Sequence, residues 1–133
     1  MLFRSYVSAT IGHGNNAIGC YNSAIGSVNT TSGAFSTAIG HGNSALSDQS
    51  FAAGSKNVAC GIFSSASGYY STASGNYSSA SGYRALAAGD FSTSSGYYNK
   101  ACNRATSAIG SLDRKSTRLN SSHIQKSRMP SSA

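Results

Sequence analysis

Acidic residues are scarce in this sequence. Its 133 residues include three aspartates and no glutamate, and Asp48 and Asp90 are 42 residues apart. General acid–base catalysis and two-carboxylate hydrolysis both need carboxylates held close together. Since no Ser-His-Asp constellation is recognisable either, we predict that the chain is not an enzyme.

Cysteine and long apolar runs are also scarce. The cysteines are three in number (Cys20, Cys60 and Cys102), and an odd, widely spaced set argues against a disulfide framework, with pairing between chains as the alternative. No stretch approaches the ~20 apolar residues of a transmembrane helix, so we expect no membrane insertion of this segment. Residues 1–7 carry one positive charge and no apolar run long enough for a secretory signal.

Glycine, in contrast, recurs every seven residues. Counting from residue 12 gives fifteen positions, of which only Ser47 and Asn103 are not glycine. Alanine lies two residues before twelve of these fifteen positions. A fixed internal period is the feature from which the architecture should be predicted. The glycines, which we expect at turns, are Gly12, Gly19, Gly26, Gly33, Gly40, Gly54, Gly61, Gly68, Gly75, Gly82, Gly89, Gly96 and Gly110.

This seven-residue period is not that of a coiled coil. A coiled coil requires bulky apolar residues at two seam positions, whereas glycine in a helix is less favourable than alanine by about 1 kcal/mol. The repeating unit is instead typical of a short extended stretch followed by a turn. In such a unit glycine would supply the backbone angles with positive φ.

Alternate units differ, which makes the true repeat fourteen residues long. The position two after glycine is aromatic in five of seven alternate units and mixed in the others. We therefore predict an all-β fold, a parallel β-roll or β-solenoid of 14-residue coils with two short strands each, stacked about 4.8 Å apart. Alternation along each strand would turn the alanines inward and the neighbouring Ile/Ser column outward. Because so thin a core buries little area, we expect self-association.

One set of aromatic residues is a candidate binding surface. Tyrosine beside a basic residue presents amphipathic area suited to protein or glycan ligands. Stacking that only stabilises the solenoid is the alternative. His13 and His41 are two coils apart, too far to share a metal ion, and we predict no metal site and no cofactor. The candidate contact residues are Tyr69, Tyr70, Tyr83, Arg84, Tyr97 and Tyr98.

The pentapeptides resemble those of a known family. Ser-Thr-Ala-Ile-Gly at 36–40, Asn-Ser-Ala-Ile-Gly at 22–26 and Thr-Ser-Ala-Ile-Gly at 106–110 are similar to the head repeats of trimeric autotransporter adhesins, the YadA-like head. The resemblance covers residues 8–112. It implies a left-handed β-roll, a homotrimer, a place on the bacterial outer membrane, and a virulence role in adhesion to extracellular matrix proteins or host glycans.

Two other functions are compatible with these repeats. Similar repeats also appear in tail or fibre proteins of phages and giant viruses, where the rod would act as a spacer in the virion. An ice-binding solenoid would need flat, regular threonine arrays. The column three before each glycine is too irregular for that, because it includes Asn16, Phe51 and Val58 among its serines and threonines.

Both ends of the chain depart from the repeat. Residues 113–133 lose the glycine period and resemble a translated sequencing adapter, so we expect a non-native, disordered tail. Residues 1–7 are expected to be an irregular start left by truncation. Residues 1–112 contain five basic and two acidic residues, so the net charge falls from +7 for the whole chain to +3. We therefore predict no nucleic-acid partner.

Overall fold

Long and short strands alternate along the chain. The structure, a computed structural model, describes residues 7–111 and 114–115, and these contain no helix. The five-residue strands are β1 (Ala9–His13), β3 (Ser23–Ser27), β5 (Thr37–His41), β7 (Phe51–Ser55), β9 (Ser65–Tyr69), β11 (Ser79–Tyr83), β13 (Thr93–Tyr97) and β15 (Ser107–Ser111). The two-residue strands are β2 (Asn16–Ala17), β4 (Thr30–Thr31), β6 (Ser44–Ala45), β8 (Val58–Ala59), β10 (Thr72–Ala73), β12 (Leu86–Ala87), β14 (Lys100–Ala101) and β16 (Arg114–Lys115).

Each strand pairs in parallel with the strand that lies fourteen residues further along the chain. Ala24, for example, is opposite Ala38, and Ala38 is opposite Ala52. The long strands form one eight-stranded sheet and the short strands form a second one. This confirms the predicted all-β solenoid of 14-residue coils with two strands each. The left-handed winding implied by the resemblance stays a prediction.

The apolar interior is a column of alanines. Ala38, Ala52 and Ala66 have no solvent-exposed surface, and the buried apolar side chains of the described residues are all alanine. The neighbouring column faces outward as expected, since Ile11 is 60% exposed and Ile39 is 38% exposed. A space that accepts only small side chains keeps the two sheets close together. The alanine column therefore fixes the thinness of the rod.

A polar column on each side of the alanines completes the interior, and the sequence interpretation missed its role. Every member lies three residues after a repeat position, where the chain turns from one sheet to the other. We call one edge the asparagine corner; its residues are Asn15, Asn29, Asn43, Asn57, Ser71, Ala85 and Asn99. The other is the serine corner, with Asn22, Ser36, Ser50, Ser64, Ser78, Ser92 and Thr106. All except Asn15 are buried.

The asparagines form a continuous hydrogen-bonded ladder between coils. Asn43 donates from Nδ2 to the carbonyl oxygens of Ile39 at 2.8 Å and Gly54 at 2.9 Å. Its Oδ1 accepts from the backbone N–H of Asn57 at 2.9 Å. One side chain thus satisfies backbone groups of its own coil and of the next one. Buried amides are tolerated here because they have these partners.

The serines bond mainly within their own coil, although Ser36 Oγ also donates to Asn22 Oδ1 of the preceding coil at 3.2 Å. Ser36 Oγ donates to the carbonyl oxygen of Gly33 at 2.9 Å, and Ser78 Oγ donates to that of Gly75 at 2.6 Å. Each bond spans three residues and closes the turn at the serine corner. The two corners are therefore held by different means, asparagine between coils and serine inside them.

The repeat glycines occupy two environments, which differs from the expectation that all of them supply positive φ. At the asparagine corner they lie inside the long strands with φ between +113° and +126°, a region open only to glycine. At the serine corner none of them has positive φ. There, a Cβ on Gly33 would overlap with the backbone of Ser47 in the next coil. The two exceptions, Ser47 and Asn103, both fall at the serine corner, where φ permits a side chain.

The left-handed residue of every turn is instead the one two positions after the repeat position. Phe35 and Arg84 both have φ of 57° there. This region is narrow for residues with a side chain but accessible to them. Because these turn residues range from glycine to arginine, their identity is free to vary along the rod.

The predicted end segments lie mostly outside the described residues. Residues 1–6, 112–113 and 116–133 belong to this part, and with them nearly all of the stretch that resembles an adapter. Strand β16, Arg114–Lys115, lies within that stretch and pairs in parallel with β14. The boundaries at residues 7 and 112 remain predictions.

Candidate functional site

Three tyrosines stack at the asparagine corner. Tyr69, Tyr83 and Tyr97 are the last residues of β9, β11 and β13, which are in register. Their ring centroids are 5.3 Å and 5.2 Å apart, with interplanar angles of 9° and 12°. The spacing follows the distance between stacked strands. The rings cover each other's faces, so the row presents its edges and hydroxyl groups to solvent.

The next residue of each coil forms a second row beside the first. Arg84 lies between Tyr70 and Tyr98, with its guanidinium carbon 5.1 Å and 5.6 Å from the two ring centroids. Tyr70 and Tyr98 also make edge contacts with Tyr69 and Tyr97, both at 4.8 Å. The six residues predicted from the sequence are thus brought together on one surface, which we call the contact strip. That it binds a ligand remains a proposal.

A groove of about 490 Å³ opens beside the contact strip. Sequence reasoning found three of its lining residues, Tyr70, Arg84 and Tyr98, but missed the others. The missed residues come from the short strands β10, β12 and β14 and from the asparagine corner. The sequence did hold a signal for them, because the residues three before every second repeat position are Thr72, Leu86 and Lys100 in these coils. The full lining is Tyr70, Thr72, Arg84, Ala85, Leu86, Tyr98, Asn99 and Lys100.

Charge is distributed unevenly between the two corners. Lys56, Arg84 and Lys100 all lie at or beside the asparagine corner. Lys56 Nζ is 5.4 Å from the centroid of the Tyr70 ring and donates to its hydroxyl at 3.4 Å. In residues 7–111, no carboxylate forms an ion pair with these groups. The contact strip and its groove are therefore a positively charged surface.

The two carboxylates of the repeats lie at the serine corner, on the other edge of the rod. Asp48 Oδ1 accepts from the backbone N–H of Ala34 at 2.9 Å, and Asp90 Oδ1 accepts from that of Asn76 at 2.9 Å. Each aspartate therefore bonds to the preceding coil. Within residues 7–111, the cations of the contact strip are therefore on the opposite edge of the rod from both carboxylates.

A second aromatic row lies at the serine corner. Phe63, Tyr77 and Phe91 stack with centroids 5.1 Å apart, and Arg104 lies over Phe91 at 5.7 Å. Gln49 interrupts this row, and Tyr21 stacks with Phe35 beyond the interruption at 5.0 Å. No two tyrosines of this row are adjacent, and each stacks on phenylalanine, so the row is mostly apolar. It provides a matched reference for the contact strip.

The remaining reactive side chains are dispersed. His13 and His41 are exposed at the ends of β1 and β5, and no group of three metal-ligating side chains occurs among the described residues. Cys60 and Cys102 are half-buried free thiols, and burial raises the pKa of Cys60. None of the residues that the structure describes belongs to a helix with the length and apolarity of a membrane span.

Comparison with known proteins gives one match. A family model described as "YadA head domain repeat (2 copies)" matches residues 23–43, 32–57, 58–78 and 73–99. Together these matches span residues 23–99 without a gap, which is more than half of the chain. They include both corners, the alanine column and the contact strip. No curated protein matches the chain.

Proposed function

Because the chain belongs to the family of YadA head domain repeats, an adhesin-type domain, we propose that it is part of the head of a bacterial surface adhesin. The head is displayed at the outer membrane as a homotrimer. It attaches the cell to extracellular matrix proteins or host glycans by binding, without catalysis. The observation that carries the proposal is the stack of 14-residue coils to which the family match applies.

Trimer formation is supported by the thin core and the exposed apolar column. The buried apolar side chains of the described residues are all alanines, which bury little area per coil. Ile11, Ile25 and Ile39 follow one another on the outer face of the long-strand sheet, and Ile11 and Ile39 are exposed in the single chain. Packing this column against other copies removes the isoleucines from water. We assign it to the trimer interface.

Binding is supported by the contact strip. Its tyrosines combine large area with hydroxyl groups, and Arg84 adds charge. A shallow strip of this kind makes weak contacts individually. Three copies on one rod multiply them into avidity.

A binding role rather than a catalytic one is supported by the carboxylates. Asp48 and Asp90 are three coils apart, about 14 Å, and each is engaged by a backbone N–H. Neither faces another carboxylate, so a pair for acid–base chemistry is not formed in the described part of the chain.

The mass of the full chain in solution tests the trimer. We expect three copies per particle by light scattering. Replacement of Ile11, Ile25 and Ile39 by serine should yield monomers, whereas Val28→Ser, an exposed apolar residue at the asparagine corner, should leave the mass unchanged. A monomer in the unmodified protein would contradict the trimer.

Adhesion is tested separately from stability. The triple replacement of Tyr69, Tyr83 and Tyr97 by serine should abolish attachment to matrix-coated surfaces or cells. Tyr77→Ser, in the aromatic row of the serine corner, is the matched control and should retain attachment. Thermal melting of both variants shows whether the coils persist. A lower melting temperature with unchanged binding would show that the tyrosines only stabilise the fold.

A further inference from the structure

We propose that the groove beside the contact strip binds an acidic saccharide, with Arg84 and Lys100 holding a sulfate or carboxylate group of the sugar. The inference rests on the proposed adhesin function and names the chemistry of the ligand. Three features of the groove support it: the two cations, the contacts that hold Arg84, and the lining by side chains rather than by a free strand edge.

Arg84 is oriented as an oxyanion receptor. Its guanidinium is held between the rings of Tyr70 and Tyr98. A cation–π contact uses the charge of the guanidinium without using up its N–H donors, which are left for a ligand. Within residues 7–111 that edge donates to no carboxylate. A guanidinium held in this way loses little conformational entropy when it forms a bidentate pair of hydrogen bonds with a carboxylate or sulfate.

Lys100 gives the groove a second cation. It is the first residue of β14 and lines the same groove as Arg84. The aspartates of the repeats are engaged at the serine corner, so the charged side chains that line the groove are both cations. Clefts lined by charge of one sign concentrate ligands of the opposite sign.

The remaining lining fits a sugar ring better than a peptide. Thr72 and Tyr98 provide hydroxyl groups beside the apolar side chain of Leu86. The volume of about 490 Å³ lies in the range of small-molecule sites. Strands β10, β12 and β14 are paired on both sides, so no open strand edge is left in the groove for a peptide to extend. Recognition therefore depends on side chains, as it does for saccharides.

Titration calorimetry on the full chain tests the groove with three tetrasaccharides. The probes are a chondroitin sulfate fragment, a hyaluronan fragment whose only charges are carboxylates, and a neutral chitin fragment. We expect one or both acidic probes to bind and the neutral probe to bind at least about tenfold more weakly. Binding of the sulfated probe alone identifies sulfate as the group held, and binding of both identifies a general oxyanion site.

Two arginine variants form a matched pair. Arg84→Gln should weaken binding of the acidic probe at least about tenfold, because it removes a charge-assisted pair of hydrogen bonds. Arg104→Gln removes the same charge and a similar contact with an aromatic ring, but at the serine corner. It should weaken binding by less than about threefold, since only a distant, screened charge is lost. Arg84→Lys should bind between these two.

Three outcomes would overturn the proposal. They are equal weakening by the two glutamine variants, absence of binding by both acidic probes, and equally tight, Arg84-dependent binding of an oligoglutamate peptide. If Arg84→Gln lowers the melting temperature, Lys100→Gln repeats the test from the other side of the groove. Should cell or matrix attachment persist while both acidic probes fail, the saccharide assignment is wrong and the adhesin function stands.

Discussion

The two halves of the rod use different means to hold their coils together at the asparagine corner. In the N-terminal half, residues 8–61, a ladder of buried asparagines links one coil to the next. In the C-terminal half, residues 62–111, Ser71 and Ala85 interrupt the ladder before Asn99, and stacked tyrosines run along the outside. External aromatic contacts thus supplement a smaller set of internal hydrogen bonds on the same backbone.

The outer faces change over the same boundary. The outward column of the long strands reads Ile11, Ile25, Ile39, Ala53 in the first half and Ser67, Ser81, Ser95 in the second, until Ile109 restores an apolar residue at its end. The half with apolar outer residues is therefore suited to contact with other copies, and the half with tyrosine and arginine to contact with a ligand. One repeat geometry carries two kinds of surface because its outward positions do not determine the fold.

The largest expected loss of stability comes from replacing the glycines of the long strands, which both halves share. Gly40→Ala and Gly82→Ala should each prevent folding or destabilise by more than about 4 kcal/mol, because φ is +120° at both and a Cβ would overlap with the next coil's backbone. Gly110→Ala has the same φ but open space, so about 1–3 kcal/mol of strain is expected. Chemical denaturation measures all three. Equal, small losses would contradict the shared geometry.

The asparagine ladder is expected to matter most in the first half, where asparagines occupy consecutive coils. Asn43→Ala removes the five hydrogen bonds that the buried Asn43 side chain makes and should destabilise by about 2–3 kcal/mol. Asn43→Ser imitates Ser71 and should lose less. Conversely, Ala85→Asn should extend the ladder into the second half and stabilise it by about 1 kcal/mol. Urea unfolding measures the free energy of unfolding of each variant. If Asn43→Ala were as stable as the unmodified protein, the proposed difference between the halves would be wrong.

The tyrosine row should contribute stability in the second half. Tyr83→Ser breaks two stacked pairs, each worth about 0.5–1.5 kcal/mol. His41→Ser changes the same column in the first half, where His41 lies between Ser27 and Ser55, and should have no measurable effect. Melting temperatures compare the two. Equal shifts for both variants would show that the tyrosines add nothing to stability.

The smallest expected effect is a gain in stability on removing a buried hydroxyl group at one site in each half. Thr31 Oγ1 and Ser94 Oγ are buried in the alanine column and, among the described residues, have no hydrogen-bond partner. Thr31→Val and Ser94→Ala should therefore stabilise by about 1 kcal/mol each. Ser92→Ala is the control, because Ser92 Oγ donates to the carbonyl oxygen of Gly89 and its removal should destabilise. A loss of stability in Ser94→Ala would contradict the assignment.

The 14-residue coil, the alanine column and the grouping of the contact strip could all be predicted from the sequence. Period and alternation determine these features directly. The polar columns could not be placed as easily, because asparagine and serine are also typical of exposed turns. Their burial was signalled only by the absence of any large residue three positions after each glycine, where an exposed site would accept one.

The left-handed turn position and the groove were beyond the sequence for physical reasons. Gly14, Val28 and Arg84 all occupy equivalent turn positions with positive φ, so no residue preference marks the conformation. The groove joins residues of three coils, taken from the turns that follow the long strands and from the short strands. Lys100 and Leu86 approach Arg84 only because of the corner geometry, which periodicity alone does not supply.

Disulfide trapping tests the stacking of 14-residue coils most directly. With Cys20, Cys60 and Cys102 replaced by serine, a Ser65→Cys/Ser79→Cys pair lies on adjacent strands in register. Stacked coils place the two Cα atoms about 4.8 Å apart, within the range of a disulfide. Ser65→Cys with Thr93→Cys spans two coils and about twice that distance, and is the matched control. Rapid oxidation of the first pair and none of the second is the predicted result; the reverse pattern, or no cross-link in either, would contradict the solenoid.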